Sequence, residues 1–233
     1  MARKNLSLKD VLPRLTSIFD PLNDEEREVL ARHVSIHTYK KNEFIYNEGD
    51  SPAHLLCLIS GKVKIQKDGV GGRTQIMRVV RPVDYFGYRA AFVGESYVTA
   101  ATAFEQSVIV KIPSQVIIKL IHQNSTLAWF FVEQLAKNLG QADERTVSLT
   151  QKHIRGRLAE SLLFLKERYG VEEDGATLSI YLSREDLANL SNMTTSNAIR
   201  TLSNFASERL IAIDGRKIKL IDENRLEKIS RIG

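Results

Sequence analysis

The stretch from Leu182 to Leu210, LSREDLANLSNMTTSNAIRTLSNFASERL, decides the fold of the C-terminal part of the chain. Ser183 is a typical N-cap residue, and Asp186 follows three residues later, where it can reach back to the cap as in a capping box. Leu187 and Leu190 then give one apolar face to a short helix. The pattern predicts a first helix that begins directly after Ser183.

A second helix follows a sharp bend at Ser191-Asn192-Met193. Asparagine is one of the few residues other than glycine that tolerate the left-handed backbone such a bend needs. Thr194 is a second N-cap, and the helix after it has helically spaced apolar residues at Ala198, Leu202 and Phe205. Ala188 is small where the two helices must cross. This order predicts a helix-turn-helix.

The other face of the second helix carries short hydrogen-bonding residues and one arginine, with no acidic residue before Glu208. A helix face that is merely solvated usually carries Glu and Lys, which are strong helix formers. The residues of this face are Thr195, Ser196, Asn197, Arg200 and Asn204. A face without acidic residues suits a phosphate-rich partner. The alternative is an ordinary helical hairpin within a core.

Two short strands are predicted directly after this motif, Ile211 to Ile213 and Lys217 to Ile221. The dipeptide Asp214-Gly215 between them is a strong signal for a hairpin turn. A hairpin behind a helix-turn-helix makes a winged helix. Its basic residues Arg216, Lys217 and Lys219 are placed to reach phosphates.

The composition is that of an ordinary globular protein, with 233 residues, 43% hydrophobic and 26% charged. The net charge of +5 permits nucleic-acid binding without requiring it. The single cysteine, Cys57, excludes an internal disulfide and a cysteine-ligated cluster, and we interpret it as a buried core thiol. No apolar run approaches the roughly 20 residues of a membrane span, and MARKNLSLKD lacks a signal-peptide core, so we expect a cytoplasmic protein without a membrane partner.

The N-terminal half is predicted to form two short helices within residues 6–33, around Asp20-Pro21, followed by strands. Asn23 or Asp24 is placed to cap the second helix. From Ser35 onward, short runs of Val, Ile, Tyr and Phe alternate with turn residues, and the runs 98–103 and 107–112 complete the set. This spacing is typical of a β-sandwich or roll. The turn residues are Gly49-Asp50, Gly61, Gly69 to Gly72 and Pro82.

Helical periodicity returns after Pro113, with Ser114 and Ser125 as predicted caps of a short and a long helix. Along the long helix, apolar and small residues recur at alternating spacings of four and three, the heptad pattern by which two helices pair. We predict a dimer through Val132, Leu135, Leu139, Ala142 and Thr146, with Ala128 and Leu149 extending the pattern. The alternative is one amphipathic helix packed on its own domain, where Trp129, Phe130 and Phe131 are expected to pack.

The rest of the order follows from the same patterns. We expect a hinge at Thr150 to His153, a helix ending at Gly170, and a loop and strand in VEEDGATLSIYL. The sequence therefore predicts an α+β fold: an N-terminal antiparallel β-roll (double-stranded β-helix, cupin-like), a long dimerisation helix and a C-terminal winged helix-turn-helix. The predicted boundaries are 1–124, 125–151 and 152–233.

The chain resembles the Crp/Fnr family of bacterial transcription regulators over nearly its whole length. The N-terminal motif is KNEFIYNEGD at 41–50, followed by Leu55 to Ile59, Gly61, Val63 and Ile65; the C-terminal motif is the winged helix from Ser183 to Leu220. The resemblance implies a homodimer that binds an inverted repeat in double-stranded DNA. It also implies an effector sensed in the roll and RNA polymerase as a partner.

Two features of the roll depart from the family members that bind cyclic nucleotides. Those members hold the ribose with a Gly-Glu pair and the phosphate with Arg-Ser or Arg-Thr, whereas this chain has Gly87-Tyr88 and Tyr97-Val98. A buried phosphate without its arginine would be an uncompensated anion, unless Arg89 replaced it, so we expect cyclic AMP not to be the effector. The resemblance places the effector pocket at Phe86, Gly87, Tyr88, Arg89, Tyr97 and Val98.

The identity of the effector stays open at this point. The aromatic residues Tyr85, Phe86, Tyr88 and Phe92 either line an apolar pocket or fill it, and a filled pocket would give a constitutive DNA binder. An iron–sulfur cluster needs more cysteines than the chain has. Haem remains possible as a cofactor because histidine ligation needs few residues. The candidate ligands are His33, His37, His54, His122 and His153.

The resemblance also assigns roles on the winged helix. Many members carry Arg-Glu or Glu-x-x-Ser-Arg across this helix. This chain has Thr195 and Ser196 at the first two places, and Arg200 keeps the last. Arg200 is therefore expected to bond guanine O6 and N7, and the operator is expected to differ at the base that the glutamate would read. The candidate base contacts are Thr195, Ser196, Asn197 and Arg200; the candidate phosphate contacts are Arg184, Thr194, Arg216 and Lys217.

Two functions from other classes are the alternatives to this one. An enzyme is not expected, because no catalytic triad order, metal-ligand spacing or phosphate-binding glycine loop stands out. No metal site is expected either. The other alternative is a ligand-binding module whose winged helix contacts a protein. Steep salt dependence would distinguish DNA binding from that alternative.

Overall fold

The computed structural model describes residues 7–69 and 71–232. The first helical residue that we predicted, residue 6, and most of the N-terminal stretch used in the signal-peptide argument lie outside the described residues. Two compact units are present. The first comprises the described residues up to Asp68 together with Met77–Leu139, and the second comprises Gly69–Ile76 and the described residues from Gly140 onward.

The first unit begins with short helices, as predicted, although there are more of them than the two expected. Asn23 caps the last one: its side chain accepts from the Glu26 N–H while the Glu26 carboxylate accepts from the Asn23 N–H, a complete capping box. The elements are α1 Leu8–Val11, a 3₁₀ turn Leu12–Arg14, α2 Thr16–Phe19 and α3 Asp24–His33.

Eight strands form the predicted roll as two four-stranded sheets with antiparallel pairings. One sheet has the order β1-β8-β3-β6 and the other β2-β7-β4-β5. A short helix, α4 Tyr88–Val93, follows the sixth strand. The strands are β1 Ser35–Tyr39, β2 Phe44–Tyr46, β3 His54–Ser60, β4 Val63–Asp68, β5 Thr74–Val80, β6 Tyr85–Phe86, β7 Ala100–Ala103 and β8 Ser107–Pro113.

The central strand β3 is buried on both faces, and its alternation separates two apolar clusters. Leu56 and Leu58 point into the roll interior, where residues of both sheets meet. Leu55, Cys57 and Ile59 point to the opposite face, against the N-terminal helices and residues 117–131 after the roll. Burial raises the pKa of Cys57 to about 12, so its thiol is neutral, as expected for a core residue.

The helices after the roll begin differently from our prediction. Helix α5, Ser114–Gln123, starts with Ser114 rather than being capped by it, and the Ser114 hydroxyl donates to the Pro52 carbonyl at 2.8 Å. Helix α6, Ser125–Gln151, is capped by Asn124, whose side chain accepts from the Leu127 N–H at 3.0 Å. The division between the two units falls within α6, after Leu139.

The second unit contains the predicted winged helix and one helix that we did not predict. The predicted strand in VEEDGATLSIYL is absent, because 171–182 forms only isolated bridges at Val171 and Thr177. The unpredicted C-terminal helix packs against the helix Ile154–Tyr169, and Asp222 caps it by accepting from the Arg225 N–H. The elements are α7 Ile154–Tyr169, α8 Arg184–Leu190, α9 Thr195–Ser207, β9 Ile211–Asp214, β10 Lys217–Leu220 and α10 Glu223–Ile232.

Among the described residues no helix has both the length and the apolar character needed to span a bilayer.

The turn between β5 and β6 holds a valine in the left-handed region of backbone conformation. Val83 has φ of 72°, follows Pro82, and lies in a turn closed by a hydrogen bond from the Asp84 N–H to the Arg81 carbonyl. Proline second and a positive φ third are features of a type II turn, where glycine is the usual third residue. A β-branched residue is strained there.

Val83→Gly is therefore expected to stabilise the protein by about 1 kcal/mol. Glycine removes the backbone strain, but it loses more conformational entropy on folding than valine, and this loss offsets part of the gain. The measurement is the midpoint of urea unfolding. Val93→Gly is the matched control, because Val93 is also exposed but lies in helix α4, where glycine should destabilise. A lower midpoint for both variants would show that Val83 is not strained.

Candidate nucleic-acid interface

The helix-turn-helix has the local geometry that its sequence predicts. The Ser183 hydroxyl accepts from the Asp186 N–H at 3.0 Å and donates to the Asp186 carboxylate at 2.6 Å. Asn192 adopts φ of 50° at the bend, and the Thr194 hydroxyl accepts from the Asn197 N–H at 3.2 Å. Ala188 is fully buried where α8 and α9 pack. Each helix thus begins at a satisfied cap.

Helix α9, called the reading helix below, has one buried and one exposed face. Ala198, Leu202 and Phe205 are fully or almost fully buried, as the apolar spacing predicted. The opposite face exposes Thr195, Ser196, Arg200, Ser203 and Asn204, while Asn197 is half-buried. Ile199, which we did not single out, is 48% exposed on the same face. In the sequence, Ile199 is marked by its position outside the apolar spacing and directly before Arg200.

Arg200 is oriented by its own helix. Its Nη2 donates to Oδ1 of Asn197 at 2.6 Å, one helical turn back. Asn197 is itself held at the helix start, since its N–H donates to the Thr194 cap. The contact occupies the amide oxygen of Asn197 and leaves its NH₂ group available to a partner.

The acidic residue at the end of the reading helix is paired with arginines. Glu208 forms an ion pair with Arg155 of α7, and its carboxylate lies 3.8 Å from Nη2 of Arg225 in α10. The hydrogen bond from Arg155 lowers the pKa of Glu208 below its ordinary value. Arg155 also lies over the Phe205 ring at 4.8 Å. The charge of Glu208 is therefore balanced beside the reading face.

The four predicted phosphate contacts are placed differently from one another. Arg184 donates from Nη2 to the Gly215 carbonyl at 2.8 Å, and so joins α8 to the wing, which is the β9–β10 hairpin. Lys217 lies 3.6 Å from the Glu172 carboxylate. Arg216 is exposed and forms no ion pair with any described residue. Thr194 is exposed beside the first turn of the reading helix.

The wing turn differs slightly from the predicted one. Asp214 pairs with Lys217, so the two-residue turn is Gly215-Arg216 rather than Asp214-Gly215. Gly215 has a positive φ of 54°, as such turns require. Arg216 therefore lies at the tip of the wing.

Side-chain donors cap the carbonyl groups at the end of α8, within the second unit. Arg157 donates to the carbonyls of Ser191 and Asn192, both at 3.0 Å. Arg145 donates to the carbonyls of Leu190 at 2.8 Å and Ile76 at 2.7 Å, and burial lowers its pKa below the usual arginine value. A cation at a helix C-terminus also favours the helix dipole.

The hairpin segment Gly69–Ile76 adds two contacts to the same turn. Gln75 donates to the Asn189 carbonyl at 2.6 Å, and Arg73 donates to the Asn192 side chain at 3.0 Å. None of these four side chains was predicted from the sequence. They are far from the turn in the chain, and no local pattern marks them.

The roll interior contains a stacked pair of tyrosines. The rings of Tyr46 and Tyr97 lie 3.8 Å apart with 16° between their planes, and both side chains are buried. The Tyr97 hydroxyl lies against Gly87: a Cβ atom on Gly87 would meet it at 3.0 Å. Burial raises the pKa of Tyr97, and its phenol stays neutral. Phe86 belongs to the same cluster.

The other predicted pocket residues do not join Phe86, Gly87 and Tyr97 in the roll interior. Arg89 is exposed and lies 3.6 Å from Glu95, and Val98 is exposed. Tyr88 packs in the opposite cluster, where its hydroxyl accepts from the Asn138 side chain at 2.9 Å. Asn138 also accepts from Arg78 at 3.2 Å, which links α4, α6 and β5.

This arrangement does not fit a cyclic nucleotide. The position of the ribose-binding glutamate is held by Tyr88, which faces α6, and the glycine beside it is covered by Tyr97. Arg89, the one residue named above as a substitute for the missing arginine, is exposed and paired with Glu95.

The histidines are distributed over the chain. His33 ends α3 and bonds the Val29 carbonyl, His37 lies in β1, His54 begins β3, His122 lies in α5 and His153 precedes α7. Burial lowers the pKa of His37 and His54. Within the part of the chain that the structure describes, no group of three or more His, Cys, Asp or Glu residues could hold a metal ion. Haem ligation stays a prediction.

Helix α6 exposes the residues of its heptad pattern, called the seam below. The seam comprises Val132, Leu135, Leu139, Ala142 and Thr146, and all five are exposed. Leu139 is the most exposed of the large residues, at 64%. Trp129, predicted to pack within its own domain, is instead 62% exposed, next to the seam. Phe131 is buried, as predicted, and Phe130 is half-buried.

The fold and the reading helix define a class: a roll followed by a winged helix that can bind DNA. Comparison with known families agrees, because residues 36–124 match the cyclic nucleotide-binding domain and residues 156–229 match the Crp-like helix-turn-helix domain. The chain belongs to the Crp/Fnr family of transcriptional regulators, as the sequence motifs indicated.

Known relatives span nearly the whole chain. A CRP-like cAMP-activated global transcriptional regulator of Mycobacterium tuberculosis is 24% identical over 225 residues, which cover 96% of this chain and 100% of that protein. The anaerobic regulatory protein of Bacillus subtilis is 24% identical and covers 84% of this chain and 83% of its own length. The structure of FixK2 from Bradyrhizobium japonicum has a TM-score of 0.77 at 24% identity, covering 84% of this chain and 96% of that one.

Proposed function

We propose that this Crp/Fnr regulator is a cytoplasmic homodimer that binds an inverted-repeat operator through its reading helices and acts with RNA polymerase. It is not an enzyme. The observation that carries the proposal is the exposed face of the reading helix. Apart from Ile199 it is polar, it carries Arg200, and it has no unpaired carboxylate, because Glu208 is held by two arginines. Such a face suits the major groove.

The dimer is supported by the seam on α6. A row of exposed residues at heptad spacing is the surface by which two helices pair, and leaving it in water would be unfavourable. In a symmetric dimer the two reading helices would lie about one DNA turn, ~34 Å, apart. The operator should therefore be a palindrome with half-sites at that spacing.

Control through the roll is proposed to be independent of cyclic nucleotides. The M. tuberculosis relative is named as cAMP-activated, but here Tyr97 covers Gly87 and Arg89 is paired at the surface. The stacked pair Tyr46–Tyr97 favours one of the two forms left open by the sequence: a roll filled by its own side chains and a dimer that binds DNA without a small ligand.

The test is binding-site selection with the purified full chain and random duplexes, in the absence of any added effector. We expect enrichment of one palindrome, with an affinity that falls steeply as salt is raised. Enrichment only after addition of haem or a metabolite would assign control to that compound. No enrichment under any condition would favour the alternative, a winged helix that contacts protein.

Arg200→Ala is expected to lose discrimination at one guanine of each half-site, by about 1–3 kcal/mol, because Arg200 is the one arginine of the reading face. The matched comparison is Arg216→Ala at the wing tip. Loss of a phosphate contact should weaken binding about equally for all sequences and reduce the salt slope by about one. Unchanged base preference in Arg200→Ala would contradict the assigned role.

A further inference from the structure

Ile199 is a large apolar side chain on the exposed face of the reading helix, and it does not pack in the core. Ile199 is 48% exposed, whereas Ala198, Leu202 and Phe205 of the same helix are buried. Its neighbours on the exposed face, one turn away on either side, are Thr195, Ser196 and Ser203. These side chains are too short to cover an isoleucine. The reading helix therefore presents a branched apolar group amid hydrogen-bonding residues.

The position of Ile199 gives this group a chemical partner. It lies in the first half of the reading helix, the part that contacts base edges in such motifs, and directly precedes Arg200. The major-groove edges of the bases carry hydrogen-bonding groups and a single apolar group, the 5-methyl group of thymine. An exposed isoleucine offers that methyl group an apolar contact and offers no hydrogen bond to any other base.

We propose that Ile199 is a specificity residue that reads a thymine methyl group next to the guanine bonded by Arg200. This inference rests on the proposed function, since it needs the reading helix to lie in the major groove. The predicted half-site therefore contains a thymine adjacent to a guanine.

The test replaces each thymine of the selected palindrome, one position at a time in both half-sites, with deoxyuridine. This change removes only the 5-methyl group and leaves base pairing intact. For the parent chain we expect one position at which affinity falls about 4-fold per half-site, or about 15-fold for both, the value of one buried methyl group. The other thymines should tolerate the change.

Two variants complete the experiment. Ile199→Ala should bind the thymine and deoxyuridine duplexes equally, while Ile221→Ala should retain the parent's difference. Ile221 is a matched control because it is 54% exposed and lies outside the reading helix, directly after β10.

The outcomes separate this inference from the function on which it rests. A parent chain that binds its palindrome with steep salt dependence but is indifferent to deoxyuridine at every position would overturn the role of Ile199 alone. So would an Ile199→Ala variant with the parent's deoxyuridine effect. If no duplex is enriched, the proposed function fails and this inference fails with it.

Discussion

A Leu135→Lys, Leu139→Lys double variant is expected to be monomeric and to bind a two-half-site operator about 100-fold or more weakly than the parent chain. Both leucines lie in the exposed seam of α6. In a dimer, four lysines would face one another across the symmetry axis, and the apolar contact would be lost. A monomer engages one half-site at a time and loses the gain from simultaneous binding of both.

The matched control places the same two charges on the same helix outside the seam. In Gln134→Lys, Gln141→Lys, each lysine directly precedes a seam residue in sequence and projects from another side of α6. This variant should stay dimeric in sedimentation. Trp129, the single tryptophan of the chain, is a second reporter, and its emission should shift to longer wavelength only in the leucine variant. A dimeric leucine variant would place the interface elsewhere.

Arg157→Met is expected to destabilise the second unit by about 2–4 kcal/mol. The guanidinium donates to the carbonyls of Ser191 and Asn192, and to those of Leu149 at 3.2 Å and Lys152 at 3.4 Å. Methionine retains the apolar stem but none of the donors, so several carbonyls in the turn lose their partners. Each unsatisfied buried group costs about 1–3 kcal/mol.

Urea unfolding followed by circular dichroism measures this loss, and hydrogen exchange locates it. The amides that should exchange faster are those of Ser191 and Met193, which close the end of α8. Arg225→Met is the control: its ion pairs are half-exposed, and such pairs contribute about 1 kcal/mol or less. Equal effects of the two substitutions would show that Arg157 is no more than another surface charge.

Local signals in the sequence were sufficient where a residue's own backbone preference decides the structure. The bend at Asn192 illustrates this, because asparagine tolerates the positive φ that the structure shows. The caps Asn23, Ser183 and Thr194 were predicted for the same reason, and each accepts a backbone N–H. These contacts span three residues, so the sequence contains the whole interaction.

Two cap predictions were wrong, because a neighbouring residue caps the helix or another partner takes the hydroxyl group. Ser114 and Ser125 are good capping residues, but Asn124 caps α6 and the Ser114 hydroxyl is used by Pro52. Helix α10 was not predicted, although Asp222 marks its start and Leu226 its buried face, because the hairpin signal directly before it dominates the local pattern. Val83 has no sequence signal at all, since valine is unfavourable at its φ.

The exposed face of the reading helix could be predicted from the sequence, but the arginines that hold the turn before it could not. The reading helix could be derived from spacing and polarity. The hydrogen bonds of Arg145 and Arg157 could not be derived in this way, because they join side chains to carbonyls 34 to 45 residues away. Every residue has a backbone carbonyl, so the sequence does not show which of them accepts a hydrogen bond from an arginine.

The stacked tyrosines of the roll have a consequence for what would control operator binding in a cell. The proposed filled roll, with the Tyr97 hydroxyl against Gly87, would leave no place for a metabolite beside that glycine. Operator occupancy then depends on how many copies of the chain are made and on how readily they pair. Synthesis and turnover, rather than the concentration of a small molecule, would set the transcriptional output.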